Sequence, residues 1–191
     1  TGIHTWNYGR YIHTNICELL KELVNIKGLK RIRISSIEIT ELNDEILDVI
    51  KNNDVIVNHL HIPIQAASDK VLKVMNRKYD LKYFMDKIER IKTLKDDISI
   101  TTDIIVGHPY EDDESFNSGI EVLKKIGFSK LHVFPYSKRN GTKASLMEQV
   151  DDKVKKERAR TLLLLYREFE INYMSKFIGR EVEVLVEVVK D

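Results

Sequence analysis

Apolar side chains repeat along the chain with two alternating periods, one typical of helices and one typical of strands. The helical period begins after residues that favour helix N-caps and in two places ends at glycine. The predicted caps are Thr14 or Asn15, Asn43, Ser68 and Asp80, the glycines are Gly28 and Gly127, and the longest helix spans 151–177. Runs of β-branched residues and strict alternation predict strands over 31–37, 55–64, 98–106, 130–134 and 181–190.

Strands that alternate with helices predict an α/β fold with a parallel sheet built from right-handed crossovers. The first four strands make either half of a barrel or an open sheet. A complete eight-stranded β/α barrel takes about 250 residues, whereas this chain has 191. We therefore expect a truncated partial barrel over 1–178 and the start of a further unit over 179–191, represented by one trailing strand.

Composition narrows the function classes. The chain has 31 Lys and Arg against 30 Asp and Glu, so its net charge of +1 gives no global attraction to nucleic acid. Cys17 is the single cysteine, which excludes a disulfide framework and any cluster held by cysteines of this chain alone. No apolar run approaches the roughly 18–20 residues of a membrane span. The sequence is therefore expected to act in the cytoplasm, without a membrane.

Ligands of such folds bind at the carboxyl ends of the parallel strands. The second predicted strand carries His59 and His61, which alternation places on one face. Metal-dependent hydrolases use such pairs, and His108 and His132 are candidates to complete the ligand set. Histidines that only pack and hydrogen-bond inside the barrel explain the same pattern. Both interpretations stay open at this point.

Three further motifs have a structural and a functional interpretation. Gly107 allows either a tight turn or close backbone approach to a ligand. The acidic run 111–114 favours a helix start. The stretch 136–160 contains eight Lys or Arg against four Asp or Glu, which is typical either of a solvated face or of an RNA contact. A non-catalytic RNA-binding module is therefore another hypothesis.

Six segments of the chain together resemble the radical-SAM methylthiotransferases. The matching segments are 1–4, 31–38, 59–65, 75–79, 101–107 and 132–137. They occur in the family's order and cover nearly the whole chain. The wording of 33–38, Arg-Ile-Ser-Ser-Ile-Glu, is most similar to the branch that acts on threonylcarbamoyladenosine beside the anticodon of tRNA. Other branches act on isopentenyladenosine or on a ribosomal protein.

The resemblance implies a six-stranded partial barrel that binds S-adenosylmethionine against a [4Fe–4S] cluster. The cluster would reduce the cofactor to a 5′-deoxyadenosyl radical, which abstracts hydrogen from adenine C2, where sulfur and a methyl group are then installed. Family members have an N-terminal domain with a second [4Fe–4S] cluster and a C-terminal RNA-binding (TRAM) domain. The implied partners are tRNA and an electron donor such as flavodoxin or ferredoxin.

The resemblance also implies a set of cofactor-binding residues at matching positions. They are Thr1, Gly2, Ser36, Glu38, Gln65, Arg77, Asp103, Ile105, Gly107 and Phe134. Thr1 and Gly2 would lie near the methionyl amino group, and Arg77 would pair with the methionyl carboxylate. Ser36 and Glu38 would hold polar atoms of the cofactor, and Gln65 would contact the ribose. Asp103, Ile105, Gly107 and Phe134 would contact the ribose and adenine. The RNA-binding candidates are Lys138, Arg139, Lys143, Lys155 and Lys156.

The chain departs from the family pattern in three places. Ala66-Ala67-Ser68 replaces the usual Ser-Gly-Ser, and His108-Pro109-Tyr110-Glu111 replaces Phe-Pro-Gly-Glu. The family's Cys-x-x-x-Cys-x-x-Cys motif is absent, and Cys17 has the surroundings of a core residue. We therefore expect no cluster and no activity in the fragment itself, no other metal site, and pairing of two fragments through exposed strand edges.

Overall fold

The computed structural model describes residues 8–184 and 186. Helices and strands alternate, as the hydrophobic pattern predicts. The elements in the described chain are α1 (Ile16–Val24), α2 (Asp44–Asn52), β1 (His59–His61), α3 (Asp69–Val74), α4 (Leu81–Lys92), β2 (Ser99–Val106), α5 (Asp113–Ile126), β3 (Lys130–Pro135) and α6 (Asp152–Ser175). Short 3₁₀ helices occur at Arg10–Ile12, Ile39–Glu41 and Lys143–Leu146.

The helices begin where the sequence predicts them, because local polar groups satisfy the first free backbone N–H groups. Ser68 precedes α3, but its side chain makes no cap hydrogen bond. The predicted end of α1 at Gly28 is wrong, since the helix ends at Val24 with Asn25 as its C-cap. Asn15 Oδ1 accepts from the backbone N–H of Glu18 at 3.0 Å, and Asn43 Oδ1 accepts from that of Ile46 at 3.0 Å. Asp80 Oδ1 accepts from the N–H of Tyr83 at 2.7 Å. Gly127, with φ 64°, ends α5 in the left-handed conformation.

The described strands form a parallel three-stranded sheet in the order β1-β2-β3. The predicted strand 31–37 is wrong as a regular element, because it touches its neighbour only through isolated bridges, Ile32 to Ile56 and Ser36 to His61. The predicted strand 55–64 shortens to His59–His61, and Gln65 makes a further bridge to Ile104. Extended backbone therefore continues the sheet on both sides of β1 without a continuous ladder.

Helices cover the outer face of the sheet and enclose the apolar core. Phe84 of α4 has none of its surface exposed and packs against Tyr79 and Phe128, with ring centroids 5.7 and 6.4 Å apart. Helix α6 lies along β3 and β2 and buries Leu162, Leu165 and Phe169, as its apolar spacing predicts. The opposite face of the sheet stays open and forms the groove described below.

The chain beyond α6 departs from the predicted strand. Gly179 has φ 76°, and residues 181–184 and 186 are not part of a strand. Arg31 contacts Glu183 at 3.2 Å between exposed side chains, but no sheet edge pairs with this stretch in the described chain. The remainder of the predicted strand, like Thr1 and Gly2, lies outside the described residues. None of the helices in the described ranges is both long and apolar enough to cross a membrane.

Candidate functional site

An open groove of about 480 Å³ runs along the uncovered face of the sheet. Its lining side chains project from the segment 33–36 and from β1, β2 and β3, where alternation directs every second residue to this face. They are Arg33, Ser35, Ser36, His59, His61, Thr101, Asp103, Lys130, His132 and Phe134. Three of the predicted cofactor-binding residues, Ser36, Asp103 and Phe134, therefore share one surface.

A hydrogen-bonded network of histidines occupies the middle of the groove. Thr101 Oγ1 lies 3.2 Å from His59 Nε2 and 2.9 Å from His61 Nδ1, which confirms that the two imidazoles share a face. His61 Nε2 lies 3.3 Å from Asp103 Oδ1. The rings of His61 and His132 meet edge to face at 5.7 Å. Asp103 and His132 are Cα partners in the β2–β3 register, so the sheet itself brings them together.

The residues that could hold a metal ion differ from those that the sequence suggests. His61, Asp103 and His132 offer ligand atoms that all lie within 4.8 Å of one another, a two-histidine, one-carboxylate set. His59 is not a member, and His108 packs instead against Tyr136 with ring centroids 5.2 Å apart. Both ring nitrogens of His61 are already within hydrogen-bonding reach of protein oxygens. This arrangement favours a hydrogen-bonding role for His61 and Asp103, with His132 packed against the His61 ring.

Two histidines of the groove, His59 and His132, have lowered pKa values, which favours their neutral forms near pH 7. Burial lowers the pKa of His59 to about 4, with Arg33 and His61 acting in the same direction. Burial also lowers the pKa of His132, and Lys130 and His61 add to this effect while Asp103 opposes it. Within the described ranges, neither Arg33 nor Lys130 forms an ion pair.

His59 is expected to make the fold sensitive to acid. Its pKa is about 4 in the fold and rises to the ordinary value of 6.5 when the chain unfolds, so unfolding takes up a proton between these pH values. The free energy of unfolding should therefore fall as the pH is lowered from 6.5 to 4. Urea titrations across this range should show a smaller pH dependence for His59→Asn than for the wild type. Equal slopes for the two proteins would contradict the assignment.

Gln65 joins two other predicted cofactor residues at the carboxyl end of the sheet. Its backbone N–H donates to the carbonyl of Asp103 at 2.9 Å, and its own carbonyl accepts from the N–H of Ile105 at 2.8 Å. Gln65 has φ 66°, a left-handed conformation that non-glycine residues rarely adopt. Such conformations cluster at functional sites. The structure thus places Gln65, Asp103 and Ile105 side by side.

Arg77 and Glu38 are brought together as an ion pair, with Arg77 Nη1 3.0 Å from Glu38 Oε1. Glu38 also begins the 3₁₀ turn, and its N–H donates to Glu41 Oε2 at 3.2 Å. Arg77 Nε is buried and has no hydrogen-bond partner among the described residues. Nη1 of the guanidinium is therefore bonded to Glu38, whereas Nε remains available as a donor.

Gly107, the last predicted cofactor residue, is approached closely by a side chain of α6. A Cβ atom at Gly107 would lie 2.4 Å from Lys155 Cγ, and the residue has φ 73°. Lys155 is itself buried, with Nζ 3.0 Å from Asp152 Oδ1 and 5.9 Å from the centre of the Tyr136 ring. The other four RNA-binding candidates are exposed, namely Lys138, Arg139, Lys143 and Lys156.

A buried ion pair next to Gly107 was missed by the sequence analysis. Arg158 Nη1 lies 2.9 Å from Glu111 Oε1 and donates to the Glu111 carbonyl at 2.8 Å, while Nη2 reaches Asp113 Oδ1 at 2.7 Å. Glu111 also accepts from the N–H of Gly107 at 2.8 Å. Burial raises the pKa of Glu111, and its bonds to Gly107 and Arg158 lower it. Within the acidic run, the helix cap is Asp112.

The residues of the groove suit an adenosyl cofactor, whereas the chain lacks the ligands for an iron–sulfur cluster. The groove offers polar side chains beside the apolar surface of Phe134, which suits a ribose and an adenine. Cys17 lies buried in α1, where burial raises the pKa of its thiol to about 11. One inert cysteine cannot supply the thiolates of a [4Fe–4S] cluster. The residues of this chain therefore do not fit that group.

Comparisons with known proteins identify relatives that cover nearly the whole chain. The threonylcarbamoyladenosine tRNA methylthiotransferase MtaB of Bacillus subtilis is 45% identical over 98% of this chain, and that of Thermotoga maritima is 42% identical over 98%. A tRNA-2-methylthio-N(6)-dimethylallyladenosine synthase of Acetivibrio thermocellus is 40% identical over 97%. The chain spans 42%, 43% and 39%, respectively, of the length of these curated relatives.

Solved structures support the fold. Coproporphyrinogen III oxidase (HemN) of Escherichia coli, a radical SAM enzyme, superposes with a TM-score of 0.63 at 18% identity, over 81% of this chain and 36% of that protein. The methyltransferase TsrM of Kitasatospora setae superposes with a TM-score of 0.52 at 13% identity, over 63% of this chain and 24% of that protein. Residues 9–123 match the Radical SAM superfamily. The chain therefore belongs to the Radical SAM superfamily.

Proposed function

We propose that this chain is part of a tRNA methylthiotransferase that adds a methylthio group to C2 of N6-threonylcarbamoyladenosine next to the anticodon. The observation that carries the proposal is the 45% identity, over 98% of the chain, to an enzyme named for that reaction. The groove supports it, since its residues suit an adenosyl cofactor. The relatives named for dimethylallyladenosine are less similar, at 40% identity and below.

The cofactor-binding part of the proposal assigns S-adenosylmethionine to the groove and to the carboxyl end of the sheet. When bound, this cofactor would supply the radical that the proposed reaction needs. Ser36, Gln65 and Asp103 would hold its polar atoms, with Gly107 at the ribose and adenine. Ile105 and Phe134 would contact the adenine.

Two further contacts complete the proposed cofactor site. Arg77 and Glu38 would hold the charged methionyl end, since the unpartnered Nε of Arg77 leaves a donor for a carboxylate. Thr1 and Gly2, near the methionyl amino group, remain proposals outside the described residues. Ligands for the two [4Fe–4S] clusters of such an enzyme would have to come from outside this sequence, which has one cysteine.

Nucleoside mass spectrometry of tRNA from cells with and without the full-length gene tests the proposed function. We expect the methylthio group to disappear from threonylcarbamoyladenosine alone when the gene is deleted. Its loss instead from dimethylallyladenosine, which is the same nucleoside as isopentenyladenosine, would assign the chain to the other tRNA branch. If every methylthio nucleoside survives, the proposed tRNA substrate is wrong, and a ribosomal protein substrate takes its place.

We propose that the exposed cations after β3 contact the tRNA backbone. Lys138, Arg139 and Lys143 lie on the loop that leaves the carboxyl end of β3, and Lys156 lies on the first turns of α6. This loop begins beside the groove, since the N–H of Tyr136 donates to the carbonyl of Val106 at 2.8 Å. Lys155 is buried, so its contribution is expected to be smaller than that of its exposed neighbours.

Reversing two of these charges should weaken binding of every tRNA to the same extent. For Lys138→Glu with Arg139→Glu we expect at least about a tenfold loss of affinity at physiological salt, and a shallower salt dependence by about one unit for each lost phosphate contact. Filter binding at several salt concentrations measures both quantities. Lys124→Glu with Lys125→Glu, at two exposed lysines of α5, is the matched control with the same change of net charge. An equal loss in the control variant would show that overall charge, and not this loop, governs binding.

The remaining partners are proposals of the same kind. A cytoplasmic electron donor such as flavodoxin or ferredoxin would reduce the enzyme. The boundary near Gly179 would separate the barrel over 1–178 from an RNA-binding unit that starts at 179.

Pairing of two fragments through exposed strand edges would appear as a dimer in sedimentation, and a monomer at high concentration would contradict it.

A further inference from the structure

The hydrogen bonds of the histidine network form one chain along the floor of the groove. His61 and Thr101 are partners in the β1–β2 register, and His59 and Asp103 lie one groove-facing position before and after them. Thr101 Oγ1 joins His59 Nε2 at 3.2 Å to His61 Nδ1 at 2.9 Å. His61 Nε2 then reaches Asp103 Oδ1 at 3.3 Å. The chain thus ends, toward the carboxyl ends of the strands, at a carboxylate proposed to hold the cofactor.

The carboxylate determines which atom donates in each of these bonds. An ionised carboxylate only accepts hydrogen bonds, so its contact requires a proton on His61 Nε2. A neutral imidazole has a single N–H, which leaves His61 Nδ1 as an acceptor for the hydroxyl of Thr101. Because that hydroxyl has donated its proton, Thr101 Oγ1 accepts from Nε2–H of His59. Each proton position in the chain is therefore set by the next residue.

The innermost residue, His59, has the protonation state that this direction requires. Its Nδ1 is buried and has no hydrogen-bond partner in the part of the chain that the structure describes. A proton on that nitrogen would be a buried donor without an acceptor, which costs free energy. Burial lowers the pKa of His59 to about 4, so the ring is neutral near pH 7 and its one proton can lie on Nε2.

At the outer end, Asp103 has one oxygen bonded and one available. Its Oδ1 faces His61, and its carboxylate forms no other hydrogen bond or ion pair with a described residue. The Asp103 side chain is 32% exposed and that of His61 is 18% exposed. The edge-to-face contact with His132 at 5.7 Å also holds the His61 ring. The carboxylate therefore offers more surface to a ligand than the imidazole that holds it.

We propose that His61 is a positioning residue for S-adenosylmethionine, which holds Oδ1 of Asp103 so that Oδ2 accepts a ribose hydroxyl of the cofactor. The inference rests on the proposed function, because it takes Asp103 as a cofactor-binding residue. Thr101 and His59 hold the imidazole from the other side and fix the nitrogen that carries its proton. A carboxylate held by one oxygen has less rotational freedom to lose when a ligand binds the other.

Binding of S-adenosylhomocysteine to the full-length enzyme tests the inference without turnover, since this ligand has no sulfonium to be cleaved. Its 2′-deoxy and 3′-deoxy forms each lack one ribose hydroxyl. We expect the wild type to bind one of them at least about tenfold more weakly, the loss typical of a hydrogen bond to a charged group. Asp103→Ala should reduce this hydroxyl penalty to below about twofold. Calorimetry measures all three affinities.

Two substitutions of His61 separate positioning from packing. The amide nitrogen of glutamine can take the place of Nε2 and donate to Asp103, whereas the shorter asparagine can replace only Nδ1. His61→Asn should therefore reduce the hydroxyl penalty to below about threefold, and His61→Gln should largely preserve it. Thr101→Ser, which keeps the hydroxyl, should preserve it as well. His13→Asn, at an exposed histidine, is the matched control and should change none of the affinities.

The hydroxyl penalty is a ratio, so a general loss of stability does not change it. If His61→Asn weakens the ligand and its deoxy forms equally, His61 has only a structural role and the inference is overturned. Equal hydroxyl penalties in His61→Asn and His61→Gln would overturn it too.

Failure of the proposed function gives a different pattern. If the wild type shows no hydroxyl penalty, or if Asp103→Ala retains it, the assignment of Asp103 to the cofactor is wrong and the inference falls with it. If Asp103→Ala removes the penalty and His61→Asn does not, only the positioning role is wrong. The substrate branch is decided by the nucleoside measurement, which does not depend on these affinities.

Discussion

Replacing Arg158 by methionine is expected to lower the free energy of unfolding by about 3–5 kcal/mol, the cost of leaving one partner of a buried ion pair without the other. The guanidinium and the Glu111 carboxylate are 7% and 8% exposed, so water cannot replace the lost contact. Methionine has a comparable length but offers no donor to the carboxylate or carbonyl of Glu111. Urea unfolding followed by circular dichroism measures the change.

Two variants show whether the buried charge is the cause. Arg160→Met changes an exposed arginine of the same helix and should cost less than about 0.5 kcal/mol. The double variant Glu111→Gln with Arg158→Met removes the orphaned charge and keeps an oxygen for the N–H of Gly107. It should therefore be less destabilised than the sum of the two single variants. A loss below about 1 kcal/mol for Arg158→Met would contradict the role of the pair.

Truncating Phe84 to alanine is expected to cost about 3–5 kcal/mol, because it removes a buried ring and leaves a cavity. No part of Phe84 is exposed, and the ring lies between Tyr79 and Phe128. It also fixes α4 against the segment that follows α5. The same urea titration gives the size of the effect.

The adjacent residue of the same helix provides the control for Phe84. Tyr83 is 42% exposed and contacts Lys87 across its ring at 5.7 Å. Tyr83→Ala should therefore cost less than about 1 kcal/mol. Similar losses for the two truncations would show that the helix is sensitive at every position, and that Phe84 has no special place in the core.

The sequence predicts where helices begin more accurately than where strands begin and end. The caps at Asn15, Asn43 and Asp80 are confirmed because each depends on a side chain and a backbone group three residues away. Strand limits depend on a partner that is distant in sequence. The β-branched run 31–37 has the composition of a strand, yet it meets its neighbour only near Ile32 and Ser36.

The same distinction applies to the site. Alternation within a single strand was enough to place His59 and His61 on one face. The proximity of Asp103 and His132 required the register between two strands, which the sequence does not specify.

Lys155 and Arg158 have the spacing of a solvated helix face, so no local signal reveals that α6 buries them against the loop that starts at Gly107. The resemblance to a known family identified Gln65 and Gly107 as site residues, but gave no account of these contacts.

The contacts of α6 at Gly107 join three parts of the molecule. Arg158 holds the loop after β2, and Lys155 lies over Gly107. Tyr136 joins Val106 to the start of the basic loop, defined as residues 136–151 with Lys138, Arg139 and Lys143. The basic loop is thus joined at one end to the last residue of β2 and at the other, through the Asp151 cap, to α6. For an RNA gripped by this loop, the distance from its backbone to the groove would be fixed in advance. That fixed distance would determine which nucleotide of the anticodon arm reaches the reaction site.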